Sequence, residues 1–110
     1  VPATFVAWDR TFPVAEEADV LVNATSVGFG DSDALVDVDL DTLRAGLVVA
    51  DVVVSPPHTA LLRAAAVRGA RTLDGLGMLV GQGALAVRHW TGVEPDREVM
   101  RAAAARALGL

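Results

Sequence analysis

Residues 46–54 read Gly46-Leu47-Val48-Val49-Ala50-Asp51-Val52-Val53-Val54, and this stretch decides the fold. It is apolar at almost every position and β-branched on both alternating sets, so neither side is reserved for water. A strand of that kind is covered on both faces, the pattern of a parallel sheet with helices packed above and below. Pro56-Pro57 ends it, because proline cannot donate to a strand ladder.

Downstream, a helix starts at His58 or Thr59 and runs to Val67, with Gly69 as its stop. Arg71–Leu73 is a brief strand. A second helix is expected from about Met78 to Trp90, ended by Thr91-Gly92. Pro95 opens a last helix, where Asp96 and Glu98 suit the positive end of the helix dipole and Arg106 the negative end. Upstream, Ala3–Trp8 is a strand candidate, Pro13–Glu17 a single helical turn, and Asp19–Thr25 a compact apolar strand closing in polar residues. Aspartates at 31, 33, 37, 39 and 41 mark a solvated loop. It leads into a short helix capped by Asp39 or Asp41 and stopped at Gly46. Strands alternating with helices across short connections give an α/β chain. The expectation is part of a doubly wound parallel sheet, about four strands with flanking helices.

Composition narrows the function. The chain has 110 residues, 53 % of them hydrophobic, and a net charge of −5. That describes a folded chain, one small domain, and a poor match to a phosphate backbone, so no nucleic-acid partner is expected. No apolar run is long enough for a transmembrane helix, so no membrane partner is expected either. Nothing at the start has the form of a secretory signal. Cysteine is absent, which excludes disulfides and thiolate chemistry and fits a reducing cytoplasm. All nine basic residues are arginine, and tyrosine is missing, so no lysine or tyrosine mechanism can reside here.

In an open parallel sheet, ligands bind beyond the carboxyl ends of the strands. Three such ends fall on notable segments: Asn23-Ala24-Thr25-Ser26-Val27-Gly28, Asp51 to Pro56, and Asp74-Gly75-Leu76-Gly77. Taken alone, the first reads as a turn, since Asn, Ser and Gly favour turns. Asp51, inside an apolar strand, needs hydrogen-bond partners; a structural acceptor and a site residue stand level as readings. Gly75, Gly77 and Gly81 miss the dinucleotide fingerprint by one residue. They read instead as a strand-to-helix turn kept bare so that a planar ligand can approach the helix start. Helical spacing puts Leu79, Gly83, Ala86 and Trp90 on one stripe, suited to the sheet. Met78, Gln82, Leu85 and His89 form the neighbouring one. Gln82 can donate and accept, which suits a hydroxylated ligand. His58 reads as a surface residue and His89 as structural. No metal spacing and no carboxylate pair for acid–base work stands out, so no metal is expected.

These residues carry a resemblance. Asn23-Ala24-Thr25-Ser26-Val27-Gly28, Asp51-x-x-x-x-Pro56-x-x-Thr59-x-Leu61-Leu62 and Asp74-Gly75-x-Gly77-Met78-Leu79-x-x-Gln82 resemble the shikimate dehydrogenases, as does the trailing Trp90-Thr91-Gly92-x-x-Pro95. The likeness runs from about Ala18 to Ala107 with the blocks in order. It implies an NADP-dependent oxidoreductase interconverting 3-dehydroshikimate and shikimate, on the route to aromatic amino acids, with this chain as the later part of a Rossmann-like cofactor domain. It further implies that Asn23, Ala24, Thr25, Ser26, Val27, Gly28, Val52, Gly75 and Met78 border the cofactor. Gln82 and Val54 would then face a shikimate-like substrate, and a homodimer would be the assembly. The family's catalytic lysine–aspartate pair and its glycine-rich phosphate loop belong to regions this chain does not match. The implied outcome is a chain with no catalytic residue of its own and no activity alone. Val54 stands where the family usually has a tyrosine, which admits a quinate or aminoshikimate dehydrogenase relative. From another class, a non-catalytic binding or assembly module could keep the same fold.

Overall fold

Three parallel strands form the sheet, in the order β1-β2-β3: β1 (Val20–Asn23), β2 (Val48–Asp51) and β3 (Arg71–Leu73). The computed structural model describes residues 1–110. Pairing places Leu21 beside Val49 beside Thr72, and Asn23 beside Asp51. Between β2 and β3 lies α1 (Ala60–Val67), followed after β3 by α2 (Gly75–Thr91) and α3 (Arg97–Ala107).

Each helix starts where a side chain can accept from its free N–H groups. Thr59 accepts from Leu62 N, Asp74 from Leu76 N, and Asp96 from both Glu98 N and Val99 N. Gly92 ends α2 at φ 72°, a left-handed cap that a side chain would resist. The expected boundaries of α1 and α3 hold to within a residue or two.

The core lies on one side of the sheet. Val49, fully buried, meets Leu47, Leu61, Leu62 and Ala65, with Val14, Val36, Val38 and Leu43 closing the layer. Arg44 fastens this layer from outside, donating to the carbonyls of Ala15, Glu16 and Ala18 at 3.0, 2.7 and 2.9 Å. The opposite sheet face is open: Val20, Val22 and Leu73 remain 53–55 % exposed.

Several expectations are corrected. Ala3–Trp8 is not a strand; it runs unpaired, held by Trp8 Nε1 donating to the Asp37 carbonyl, so the sheet has three strands rather than about four. Pro13–Glu17 is not a helical turn: only Glu16-Glu17 turn, closed by Ala18 N donating to the Ala15 carbonyl at 3.0 Å. The 46–54 run pairs only over Val48–Asp51, and it is buried on one side and half-buried on the other. The aspartate-rich loop is more than solvated surface. Val36 and Val38 alternate with exposed Asp37, bury in the core, and bring Val38 against Phe12 in an isolated bridge. The connection between β1 and β2 is therefore long, containing only a 3₁₀ turn (Leu40–Thr42) capped by Asp39. Finally, α2 starts at Gly75 rather than near Met78. Its buried stripe is Leu76, Val80 and Ala84, while Trp90 is 77 % exposed. The packing of Gly75, described below, decides that phase.

No helix is long and apolar enough to cross a membrane.

Candidate functional site

The carboxyl ends of β1 and β2 are joined by a buried polar cluster. Asp51, 2 % exposed, accepts from Asn23 Nδ2 through both carboxylate oxygens at 3.1 Å, from Val53 N at 3.0 Å and from Thr59 Oγ1 at 2.8 Å. Every partner offers a hydrogen, so an acceptor-only carboxylate fits this position. Of the two readings of Asp51, the structure supports the acceptor that organises neighbouring loops.

Asn23 is equally committed. It is 5 % exposed, and its Oδ1 accepts from Thr25 N at 3.1 Å and Thr25 Oγ1 at 2.7 Å. Thr25 Oγ1 in turn accepts from Val27 N at 3.2 Å. The side chains of Asn23 and Thr25 thus shape the turn from inside and are not free to reach a ligand. What the turn presents outward is Ala24, Ser26 and Val27, all exposed. Its glycine is required: Gly28 is buried with φ +100°, and an added Cβ would sit 3.5 Å from Thr59 Cγ2. Two residues on, Gly30 N donates to the Ser55 carbonyl at 2.8 Å, tying the turn to the segment after β2.

The third segment joins through Gly75. A Cβ there would lie 2.6 Å from the Val53 carbonyl oxygen and 2.7 Å from that of Val52. The first turn of α2 is seated directly on the backbone that follows Asp51, with Asp74 as its cap. Gly81 has open space around it, Gly77 leaves room beside the Arg101 side chain, which a Cβ would meet at 3.9 Å, and Gly83 makes room for Met100 of α3. The glycines therefore serve different ends: one admits a backbone contact, one a helix crossing, and two leave the helix surface low. Met78, 46 % exposed, and Gln82, one turn further, share an outward face. Val54 is half-buried beyond the β2 end.

The structure brings together Asn23–Gly28, Val52 and Gly75 at one rim, and sets Met78 and Gln82 on the helix that rises from it. Sequence reasoning missed the depth of Thr59, 1 % exposed, and the pairing of Asn23 with Asp51. The signal for the pair was available: each is the last, polar residue of an apolar strand.

A parallel sheet with strand-end segments converging on one side, and a glycine-led helix start among them, is the ligand-facing part of an open α/β domain. Known proteins narrow that class. The family profile described as the shikimate 5'-dehydrogenase C-terminal domain matches residues 75–105. The shikimate dehydrogenase (NADP(+)) of Pyrococcus furiosus is 54 % identical over 86 residues, which make up 78 % of this chain and 31 % of that protein. A crystal structure of ligand-free 5-ketofructose reductase from Gluconobacter sp. strain CHM43 superposes with a TM-score of 0.87 at 42 % identity, covering 92 % of this chain and 36 % of that one. Shikimate 5-dehydrogenase from Thermus thermophilus, in complex with NADP(H) and shikimate, gives a TM-score of 0.78 at 44 % identity over 86 % of this chain and 36 % of that one. The chain is similar to the C-terminal part of shikimate dehydrogenases and spans about a third of the length of these relatives.

Proposed function

We propose that this chain forms one wall of the catalytic cleft of an NADP-dependent oxidoreductase that interconverts 3-dehydroshikimate and shikimate. The observation that carries the reading is the convergence of the Asn23–Gly28 turn, the Val52–Val54 segment and the Gly75 helix start at one rim. Val27 and Met78, 37 % and 46 % exposed, offer apolar surface there, a fit for the flat face of a nicotinamide ring. When bound, the cofactor would give the hydride to the ketone or take it from the alcohol; the contribution of this chain is to hold and orient. Gln82 faces the substrate's hydroxyls, donating and accepting from one amide. Proton transfer falls to groups outside this chain, which has no lysine or tyrosine. The homodimer and the cytoplasmic setting are part of the same proposal.

A second reading has its own support. Val54 replaces a tyrosine hydroxyl usual in the family, and the 5-ketofructose reductase shares this fold at a TM-score of 0.87. The substrate would then be another polyhydroxylated ketone, or quinate.

The test is an assay of the full-length protein with shikimate, quinate and 5-ketofructose, following NADPH at its near-ultraviolet absorbance. Shikimate oxidation with the highest kcat/KM supports the first reading, and a preference for either competitor supports the second. Turnover of none overturns both. The 110-residue chain assayed alone should turn over nothing; activity there would overturn its role as one wall only.

A further inference from the structure

We infer that Asp51 is a positioning residue that locks the three strand-end segments into a single rigid rim, so that its loss displaces both walls of the cleft at once. Its kinetic consequence rests on the oxidoreductase reading above; its structural consequence does not.

Through Asn23, Asp51 fixes the turn: the Asn23 amide that donates to both carboxylate oxygens is part of the side chain whose Oδ1 holds Thr25 N and Thr25 Oγ1. Through Thr59, it fixes the α1 start, and the Thr59 methyl is the surface against which Gly28 packs. Through Val53 N, it fixes the backbone whose carbonyls at Val52 and Val53 seat Gly75. One carboxylate therefore governs the turn bearing Val27 and the helix bearing Met78 and Gln82. None of these contacts involves a ligand-facing atom, and Asp51 itself is 2 % exposed. Every buried polar side-chain atom has a partner, so no slack remains in the cluster.

A carboxamide has the same shape but places a donor where Asn23 and Thr59 also donate. The experiment is Asp51→Asn in the full-length protein, read two ways. By amide hydrogen exchange, Thr25, Gly30 and Leu76 should exchange about 10-fold faster together, with Val99 and Met100 of α3 unchanged. In kinetics with shikimate, or with the preferred substrate, kcat should fall about 100-fold while both KM values stay within about threefold, as expected when reacting groups are held but misaligned. Val49→Ala serves as the stability control: it lowers Tm and leaves kcat of the folded protein intact. Faster exchange confined to Val53 and Leu62, or a kcat within about threefold of the original, overturns the inference. If the unsubstituted protein turns over no substrate, the proposed function fails and the exchange result alone decides this point. Should Asp51→Asn not fold, Thr59→Val removes a single arm of the cluster and should speed Thr25 and Leu76 by about threefold; no change at either would overturn the inference equally.

Discussion

Gly75 rests against the carbonyl oxygen of Val53 so closely that a Cβ would come within 2.6 Å. The neighbour is backbone, which cannot rotate away. Gly75→Ala should therefore unseat the first turn of α2 and destabilise the fold by about 2–3 kcal/mol, as overpacking does. Urea unfolding of the full-length variant checks this. Gly81→Ala, with nothing within 4 Å, should be neutral or slightly stabilising in the same measurement.

Gln82→Ala removes the amide proposed to hold the substrate's hydroxyls. A lost hydrogen bond of about 1–2 kcal/mol corresponds to a rise in KM for shikimate of roughly 5- to 30-fold. KM for NADP should move less than about twofold by the same argument. Steady-state kinetics with each substrate varied in turn separates the two; equal losses would remove Gln82 from the substrate side.

Val54→Tyr restores the hydroxyl usual in the family at a half-buried position beyond β2. If the substrate is shikimate, KM should fall by about 5- to 10-fold, the worth of one hydrogen bond. If the substrate is a ketone of different shape, the larger ring should raise KM instead. The sign of the change reports which of the two readings holds.

Asp96 caps α3 with contacts to Glu98 N at 2.9 Å and Val99 N at 3.1 Å, away from the rim. Asp96→Ala should lower stability by about 1 kcal/mol, seen as a drop in Tm, with KM and kcat unchanged.

Much of this was legible in the residues. Helix starts at Thr59 and Asp96 and the left-handed stop at Gly92 follow from local chemistry, and so did the strands at Val20–Asn23 and Arg71–Leu73. The three rim segments were readable because each strand ended in polar or glycine residues. What was not legible depended on contacts distant in sequence. Ala3–Trp8 has strand composition, but nothing pairs with it, and Trp8 finds the Asp37 carbonyl instead. Val36 and Val38 were masked by surrounding aspartates, though their alternation with Asp37 carried the signal. The phase of α2 depended on Gly75 meeting the Val52 and Val53 carbonyls, a contact that no helical periodicity encodes. Likewise, the Asn23 segment reads as a turn from its residues alone, and its side chain's pairing with Asp51 across the sheet is a contact that local sequence does not encode.

The Asn23–Asp51 pair also bears on how the sheet aligns while folding. VLVN and VVAD carry apolar side chains on both faces, so a one-residue slip, which turns each side chain to the other face, would still offer apolar residues to the core. A parallel slip of one step would set Asp51 against an alanine or a valine and leave a carboxylate without its amide in an apolar layer, at several kcal/mol. The two polar residues at the strand ends thus act as an alignment key: only one register of β1 on β2 satisfies them.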